Sequence, residues 1–168
     1  MTPNRPVIEC ACGDHGFVEL TKWGVSLVDM ADAETIERRK WQLMHGKGCA
    51  YGIGTIAGVR TMLHRFILGI TDKRHVDHIN GDGLDNRRRN LRPCTPAQNA
   101  WNKRCRRDLP KGVYRQANGG YRVQVMKHGE KFPLHGFATV EEAAAAREAL
   151  AIKLHGEFAS MGRHNGER

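Results

Sequence analysis

The sequence predicts an α+β protein built from several small antiparallel sheets and a few helices. Three observations lead to this prediction. Short apolar stretches alternate with turn residues from residue 7 to about residue 60, which is typical of a β-rich region. In the middle of the chain, the residue types favour a strand, a long loop, a second strand and a helix in that order. The C-terminal third has three strand-like segments followed by an alanine-rich helix.

Length and composition limit the function classes that fit. The chain has 168 residues, of which 40% are hydrophobic and 27% are charged, so one or two small domains can bury a core. No apolar run approaches the roughly 20 residues of a membrane span, and the N-terminus lacks the pattern of a signal peptide. The five cysteines show no spacing typical of secreted frameworks. We therefore expect a cytoplasmic protein with reduced thiols, located in the host cell if a phage encodes it.

The N-terminal region is predicted to be mostly strand. Strands are predicted at residues 17–20, 25–28 and 51–56, with one helix around residues 31–39 and a short helix at 62–68. The domain boundaries predicted from this pattern are a β-rich region at 1–60, a central module at 61–105, a basic linker at 106–111, a C-terminal domain at 112–162 and a tail at 163–168.

The central module begins with a predicted strand at residues 74–79. Residues 80–86 follow as a loop, because Asn, Asp and Gly tolerate turn geometry. Residues 91–94 can form a second strand. Thr95 is a good helix N-cap and Pro96 suits the first helical position, so a helix is predicted from Pro96 to about Arg104.

The C-terminal domain is predicted to be a three-stranded antiparallel sheet packed on one helix. Its strands are expected at residues 112–115, 121–127 and 131–137, and its helix at 140–154. Thr139 and Glu142 have the spacing of a capping box at the start of that helix. The free face of the sheet is expected to present Arg115, Arg122 and Gln124.

The positive charge is concentrated in one stretch. The chain has 27 Lys and Arg residues against 18 Asp and Glu, which gives a net charge of +9. Residues 86–115 contain ten basic residues and one acid, so this stretch carries the whole excess. A partner with dense negative charge is implied, and nucleic acid is the leading candidate.

Three residues of the central module have the chemistry of phosphodiester hydrolysis. Asp77 and His78 lie near the end of the first predicted strand, and Asn99 lies on the first turn of the predicted helix. Carboxylate and amide oxygens are ligands that suit Mg²⁺, and a neutral imidazole beside the cation can take a proton from water. These groups together would support metal-assisted cleavage.

Residues 63–103 closely resemble the HNH homing-type endonucleases of phages and mobile introns. The matching segments are Leu63-His64-Arg65, Val76-Asp77-His78-Ile79-Asn80-Gly81, Leu84-Asp85-Asn86, Asn90-Leu91-Arg92 and Cys94-Thr95-Pro96-Ala97-Gln98-Asn99. The resemblance implies a ββα-metal fold, with Asp77 and Asn99 as metal ligands, His78 as general base and Asn90 steadying the loop. Asn99 stands where many members have His, so the all-oxygen ligand set favours Mg²⁺ or Mn²⁺ over Zn²⁺.

The C-terminal domain resembles the APETALA-type domain of plant ethylene-response factors. The matching segments are Gly112-Val113-Tyr114-Arg115, Gly120-Tyr121-Arg122-Val123-Gln124-Val125, Leu134-His135-Gly136-Phe137 and Glu141-Glu142-Ala143-Ala144. In that family the sheet enters the major groove of double-stranded DNA. The expected DNA contacts of the whole chain are Arg65, Arg87, Arg88, Arg89, Lys103, Arg104, Arg115, Arg122 and Gln124.

The first hypothesis is therefore a metal-dependent DNA endonuclease that leaves a 5′-phosphate and a 3′-hydroxyl. A monomer, which is slightly favoured, would nick one strand. A non-catalytic DNA-binding regulator shares the charge pattern and the sheet domain, and a ribonuclease of the same chemistry is a third option. A calcium loop at residues 80–83 fails, because its first ligand would be His78 and its last Arg89. Cys10 and Cys12 lack a second cysteine pair at suitable spacing, so zinc binding is not favoured there.

Overall fold

The computed structural model describes residues 5–46, 48–103 and 108–160. These residues form two compact units, and the division falls between Cys94 and Thr95. No helix among the described residues is long and apolar enough to cross a membrane.

The first unit starts with two antiparallel sheets of three strands each. The first sheet has the order β1-β2-β3 and the second has the order β4-β5-β6. Their strands are β1 (Val7–Glu9), β2 (Gly16–Leu20), β3 (Gly24–Val28), β4 (Trp41–His45), β5 (Ala50–Ile56) and β6 (Val59–Met62). Between the sheets lie a 3₁₀ turn (Met30–Asp32) and the helix α1 (Ala33–Glu37).

A two-stranded hairpin completes the first unit. The helix α2 (Leu63–Ile67) follows the second sheet, and the strands β7 (His75–His78) and β8 (Leu91–Cys94) pair antiparallel across the long loop between them. The predicted strands of the hairpin are confirmed. The sequence missed β1, β4 and β6, which are short or lack a clear alternation of apolar and polar residues.

One hydrophobic core joins all three sheets of the first unit. It includes residues from the first sheet, α1, the second sheet, α2 with the segment after it, and the hairpin: Val7, Val18, Leu20, Val28, Ile36, Trp41, Leu63, Ile67, Ile70, Val76 and Leu91. Trp41 is 1% exposed, its Nε1 donates to the Ile36 carbonyl at 3.1 Å, and its ring packs on Phe66. The predicted division between residues 60 and 61 therefore falls inside one core.

The second unit contains α3 (Pro96–Asn102) and a sheet packed on a helix. The strands of the sheet have the order β11-β10-β9, with β9 (Val113–Arg115), β10 (Tyr121–Lys127) and β11 (Glu130–Phe137), and the helix is α4 (Val140–His155). Val123 and Val125 pack against Ala143 in a small core. The predicted order of three strands and one helix is confirmed. The helix α3, assigned from the sequence to the central module, belongs to this unit.

The capping signals read from the sequence are present in both helices of the second unit. The Gln98 backbone N–H donates to Thr95 Oγ1 at 3.2 Å, and the Glu142 N–H donates to Thr139 Oγ1 at 3.1 Å. Each pair forms a capping box. These local contacts explain why the starts of α3 and α4 could be predicted to the residue.

The prediction for Arg115 was wrong about its face of the sheet. In the register of β9 and β10, Arg115 lies opposite Tyr121, whereas Arg122 lies opposite Tyr114. Because facing residues project to the same side, Arg115 shares the side of Tyr121, which packs against the core under α4. The free face carries Arg122 and Gln124 without Arg115.

Candidate active site

The β7–β8 hairpin holds Asp77 and His78 at the end of its first strand. Their burial is nearly complete, with 4% and 6% of each residue exposed. The register places Asp77 opposite Arg92 and His78 opposite Leu91. A carboxylate and an imidazole therefore occupy the last two positions of a buried strand.

The carboxylate of Asp77 is fixed by an ion pair across the hairpin. Arg92 donates to Asp77 Oδ2 from Nε at 2.9 Å and from Nη2 at 2.7 Å. Only 11% of the Arg92 side chain and 5% of the Asp77 side chain are exposed. Such a charge-assisted contact in a buried position holds the carboxylate in one orientation. Arg92 matched the family motif in the sequence, but its role was not foreseen.

A chain of hydrogen bonds assigns the proton of His78. Ser26 Oγ donates to the Leu84 carbonyl at 2.8 Å, so it must accept from Asn86 Nδ2, which lies 2.7 Å away. The amide of Asn86 therefore turns its Oδ1 toward His78 Nε2, at 3.2 Å. An amide oxygen only accepts, so Nε2 carries the proton and Nδ1 is the basic nitrogen of neutral His78.

Burial favours the neutral form of His78. Desolvation lowers the pKa of His78 below its ordinary value, although the Asn86 contact and the nearby carboxylates of Asp77, Asp82 and Asp85 act in the opposite direction. An imidazole with a lowered pKa is neutral at pH 7, which is the state that a general base needs.

Asn90 ties together the two ends of the loop between β7 and β8. Its Oδ1 accepts from the Asn80 backbone N–H at 2.9 Å. Its Nδ2 donates to Asn80 Oδ1 at 3.0 Å and to the Asp85 carbonyl at 2.8 Å. A single buried amide thus satisfies three groups of the loop, which is the geometry expected of a residue that steadies the loop.

The N-terminal strands form the platform for the same loop. The Leu27 N–H donates to the Leu84 carbonyl at 2.9 Å, and the Asn86 N–H donates to the Leu27 carbonyl at 2.8 Å. Gly83 lies so close to β5 that an added Cβ would come within 2.4 Å of the Ala50 carbonyl. The strands β3 and β5, in a region with no role assigned from the sequence, therefore position the loop that carries Asn86, the partner of His78.

Two more rings lie beside His78. The ring of His64 is 4.9 Å from that of His78, edge to face, and the Tyr51 ring is 6.0 Å from both. Burial, together with the nearby His78 and Arg65, lowers the pKa of His64 to about 3. The buried Nδ1 of His64 has no hydrogen-bond partner among the described residues. His64 is therefore a neutral packing partner of His78.

Several arginines of the basic stretch are engaged within the first unit. Arg87 donates to Asp85 at 2.6 and 2.7 Å, and Arg88 donates to Asp32 at 2.7 and 2.9 Å. The Asp85 contact raises the pKa of Arg87, and the Asp32 contact raises the pKa of Arg88. Part of the positive charge counted in this stretch is thus offset by the carboxylates of Asp85 and Asp32. Arg87 and Arg88 stabilise the loop, and their contact with DNA stays a prediction.

The other predicted DNA contacts differ in their surroundings. Arg89 and Lys103 are exposed, and neither side chain makes an ion pair with a described residue. The guanidinium of Arg65 donates to the carbonyls of Asp72 and Arg74. Arg104 lies outside the described residues.

The free face of the second-unit sheet carries a short polar row. Arg122 stacks on Tyr114, with its guanidinium carbon 4.6 Å from the ring centroid, and donates to Gln124 Oε1 at 3.2 Å. On the opposite face, the guanidinium carbon of Arg115 lies 5.5 Å from the centroid of the Tyr121 ring. Arginine stacked on an aromatic ring is held in place without losing its hydrogen-bonding edge.

The third predicted site residue, Asn99, lies in the other unit. It is half-buried in the first turns of α3, where its backbone N–H donates to the Thr95 carbonyl at 3.0 Å. The structure thus brings Asp77, His78 and Asn90 together within the first unit. The convergence of Asn99 with Asp77 stays a prediction.

Comparison with known proteins identifies the family. The profile of a family described as HNH endonuclease matches residues 68–101. An uncharacterized HNH endonuclease of Acanthamoeba polyphaga mimivirus is 32% identical over 155 residues, which cover 88% of this chain and 74% of the relative. The chain belongs to the HNH endonuclease family. No solved structure matches it.

Family membership establishes a nuclease enzyme and indicates a DNA substrate. It disfavours the alternative of a non-catalytic regulator. HNH nucleases are generally dependent on a divalent metal, and the donor types of Asp77 and Asn99 fit a hard divalent cation. The matched profile ends at residue 101, so the likeness of the second unit to APETALA-type domains stays a prediction.

Proposed function

We propose that this HNH nuclease is a homing-type DNA endonuclease in which His78 activates water and Asp77 and Asn99 hold Mg²⁺ or Mn²⁺. The products are a 5′-phosphate and a 3′-hydroxyl. The observation that carries the proposal is the 3.2 Å contact of buried His78, through its Nε2, with Asn86 Oδ1, which makes Nδ1 the basic nitrogen.

The chain's own residues divide the chemistry among them. His78 Nδ1 accepts a proton from water while that water forms a bond to phosphorus. The bond from phosphorus to the 3′ oxygen breaks, and that oxygen takes a proton from solvent. Asn86 holds the ring by its Nε2–H, and Arg92 holds the Asp77 carboxylate. Asn90 keeps the intervening loop closed as a positioning residue.

The donor set supports a hard cation in this role. A carboxylate from Asp77 and an amide oxygen from Asn99 are hard ligands, and no thiolate lies in this set. When bound, the cation supplies charge stabilisation for the departing 3′ oxygen.

DNA binding rests on both units in this proposal. Arg89 and Lys103 contact phosphates. Arg122 and Gln124 contact base edges in the major groove. In the proposed ββα-metal arrangement, the cleaved strand lies at His78. Arg pairs well with guanine and Gln with adenine, so the free sheet face suits direct readout. Arg115, on the other side of the sheet, is assigned only to contact with the DNA backbone.

Nicking of supercoiled plasmid tests the proposal. Wild type, His78→Ala and the matched control His75→Ala, which changes a histidine on the same strand, are compared in Mg²⁺ and in EDTA. Loss of the general base should slow nicking by about 10²- to 10⁴-fold, with gel-shift binding retained. His75→Ala should nick as wild type does.

Two outcomes would contradict the proposal. Equal nicking by His78→Ala and wild type would remove His78 from the chemistry. Binding without nicking by every protein, wild type included, would favour a DNA-binding regulator. Linear product forming only after nicked product is expected for a monomer that cuts one strand per engagement.

A further inference from the structure

The turn between β1 and β2 has the form of a metal-binding knuckle. It consists of Cys10-Ala11-Cys12-Gly13-Asp14-His15. The Gly13 N–H donates to the Cys10 carbonyl at 2.9 Å, and the Cys10 N–H donates to the His15 carbonyl at 2.9 Å. Gly13 has φ +75°, a conformation that favours glycine. The backbone of the turn is therefore closed by its own hydrogen bonds.

Three soft donor atoms converge inside this turn. One ligand atom from each of Cys10, Cys12 and His15 lies within 4.8 Å of the others. Cys12 Sγ is 3.3 Å from His15 Nδ1. In a tetrahedral zinc site, bond lengths of about 2.3 Å to sulfur and about 2.0 Å to nitrogen put these two atoms about 3.5 Å apart. The spacing of Cys12 and His15 is therefore close to that of a zinc site.

A neighbouring ring supports His15. The ring of His15 packs edge-on against Phe17, at 5.4 Å between centroids, which steadies its orientation. An imidazole whose orientation is held by a neighbour is a prepared ligand.

We propose that Cys10, Cys12 and His15 form a zinc site in the first unit, separate from the residues assigned to DNA cleavage. Two thiolates and the His15 Nδ1 bind the ion, and water fills the fourth position on the exposed side of the turn. Thiolate and imidazole ligands select Zn²⁺ over Mg²⁺, so the site does not compete for the cation of the nuclease reaction.

The site acts on the position of β1. It joins Cys10, directly after β1, to His15, directly before β2, and so fixes the hairpin whose strands contribute Val7 and Val18 to the core.

Zinc titration of the full chain tests the proposal. Protein stripped with EDTA is titrated with Zn²⁺ in competition with a chromophoric chelator. Wild type is expected to bind one tight equivalent, and Cys12→Ser and His15→Ala are expected to weaken this binding at least about a hundredfold. Cys49→Ser, which removes another exposed free cysteine of the same unit, is the matched control and should bind as wild type does.

Two further measurements separate this site from the nuclease site. His78→Ala should keep the tight equivalent, so loss of nuclease activity and loss of zinc binding are independent results. Bound zinc should protect Cys10 and Cys12 from alkylation, measured by mass spectrometry, while Cys49 stays reactive. Zinc should also raise the melting temperature of wild type and leave that of Cys12→Ser unchanged.

Three results would overturn the proposal. These are no tight equivalent in wild type, equal zinc affinity in wild type and both ligand variants, or a Cys10–Cys12 disulfide that persists under reducing conditions.

Discussion

His78 has a single basic nitrogen because two other side chains decide where its proton lies. Ser26 donates to a backbone carbonyl and can only accept from Asn86, and this fixes the Asn86 amide with its oxygen toward His78. None of these contacts involves the residues that would touch DNA. At the residue scale, the general base is therefore prepared by groups that play no part in the reaction themselves.

Replacing Asn86 should impair catalysis more than binding. Asn86→Ala removes the acceptor that fixes the His78 tautomer, so kcat for plasmid nicking should fall about 10²-fold, with gel-shift affinity unchanged. Ser26→Ala keeps the Asn86 contact to His78 and should lower kcat less than Asn86→Ala does. Far-ultraviolet circular dichroism checks that both variants fold. An Asn86→Ala enzyme with the wild-type kcat would show that the contact is not needed.

Buried His64 should make the fold sensitive to acid. Its pKa is about 3 in the folded chain and about 6.5 when unfolded, so the unfolded chain binds more protons between these values. Stability therefore falls as pH drops below about 6.5, by about 2 kcal/mol between pH 7.5 and pH 5. Urea denaturation at the two pH values measures this loss. His64→Gln should show a smaller loss, and an equal loss would assign the effect to other groups.

At the element scale, the loop between β7 and β8 depends on close contact with β5. A Cβ at Gly83 would lie 2.4 Å from the Ala50 carbonyl and 2.6 Å from the Tyr51 ring. Gly83→Ala should therefore displace the loop, cost about 1–3 kcal/mol of unfolding free energy and lower kcat.

Gly46→Ala is the matched control for the Gly83 variant. Its Cβ would meet nothing closer than 3.4 Å, so we expect wild-type stability and activity. Chemical denaturation and nicking assays on the two variants make the comparison. Equal stability and equal nicking activity of the two variants would show that the loop does not pack closely against β5.

Arg88 and Arg89 are neighbours in sequence with different expected roles. Arg88 is paired with Asp32, whereas Arg89 is exposed and makes no ion pair with a described residue. Arg88→Gln should lower the unfolding free energy, because it leaves Asp32 without its partner. Arg89→Gln should leave the unfolding free energy unchanged. It should reduce the slope of the logarithm of DNA affinity against the logarithm of salt concentration by about one. Fluorescence anisotropy over a salt series and urea denaturation measure the two effects, and the reverse pattern would contradict this assignment.

The sequence predicted those elements whose determinants are local. Thr95 and Thr139 mark helix starts because capping acts within three residues, and the Asn- and Gly-rich loop separates two recognisable strands. The contact of Ser26 with Asn86 joins residues 60 positions apart, and no local pattern encodes it. The pairing of Arg88 with Asp32 is non-local in the same way, so the charge count alone could not reveal it.

The proposed zinc site could be predicted only in part. The spacing of Cys10 and Cys12 predicts a four-cysteine site only if a second cysteine pair follows at suitable spacing, and the sequence has none. The proposed third ligand is His15, whose ring nitrogen meets the two sulfur atoms because the turn folds back on itself.

At the scale of the whole molecule, the proposed catalytic set is divided between the two units. Asp77 and His78 belong to the first unit, which includes the N-terminal sheets in its core, and Asn99 lies on α3 of the second. The family motif is continuous across this division, since the matched profile spans residues 68–101. The cation of the proposed function would take ligands from both units.

A double-mutant cycle on single-turnover DNA cleavage tests this arrangement most directly. Rates are measured at saturating Mg²⁺ for wild type, Asp77→Asn, Asn99→Ala and the double variant. If both side chains hold one cation, each single change removes most of the rate and the double variant is hardly slower than the slower single variant. Losses that simply multiply, or an Asn99→Ala enzyme with the wild-type rate, would contradict a shared cation site.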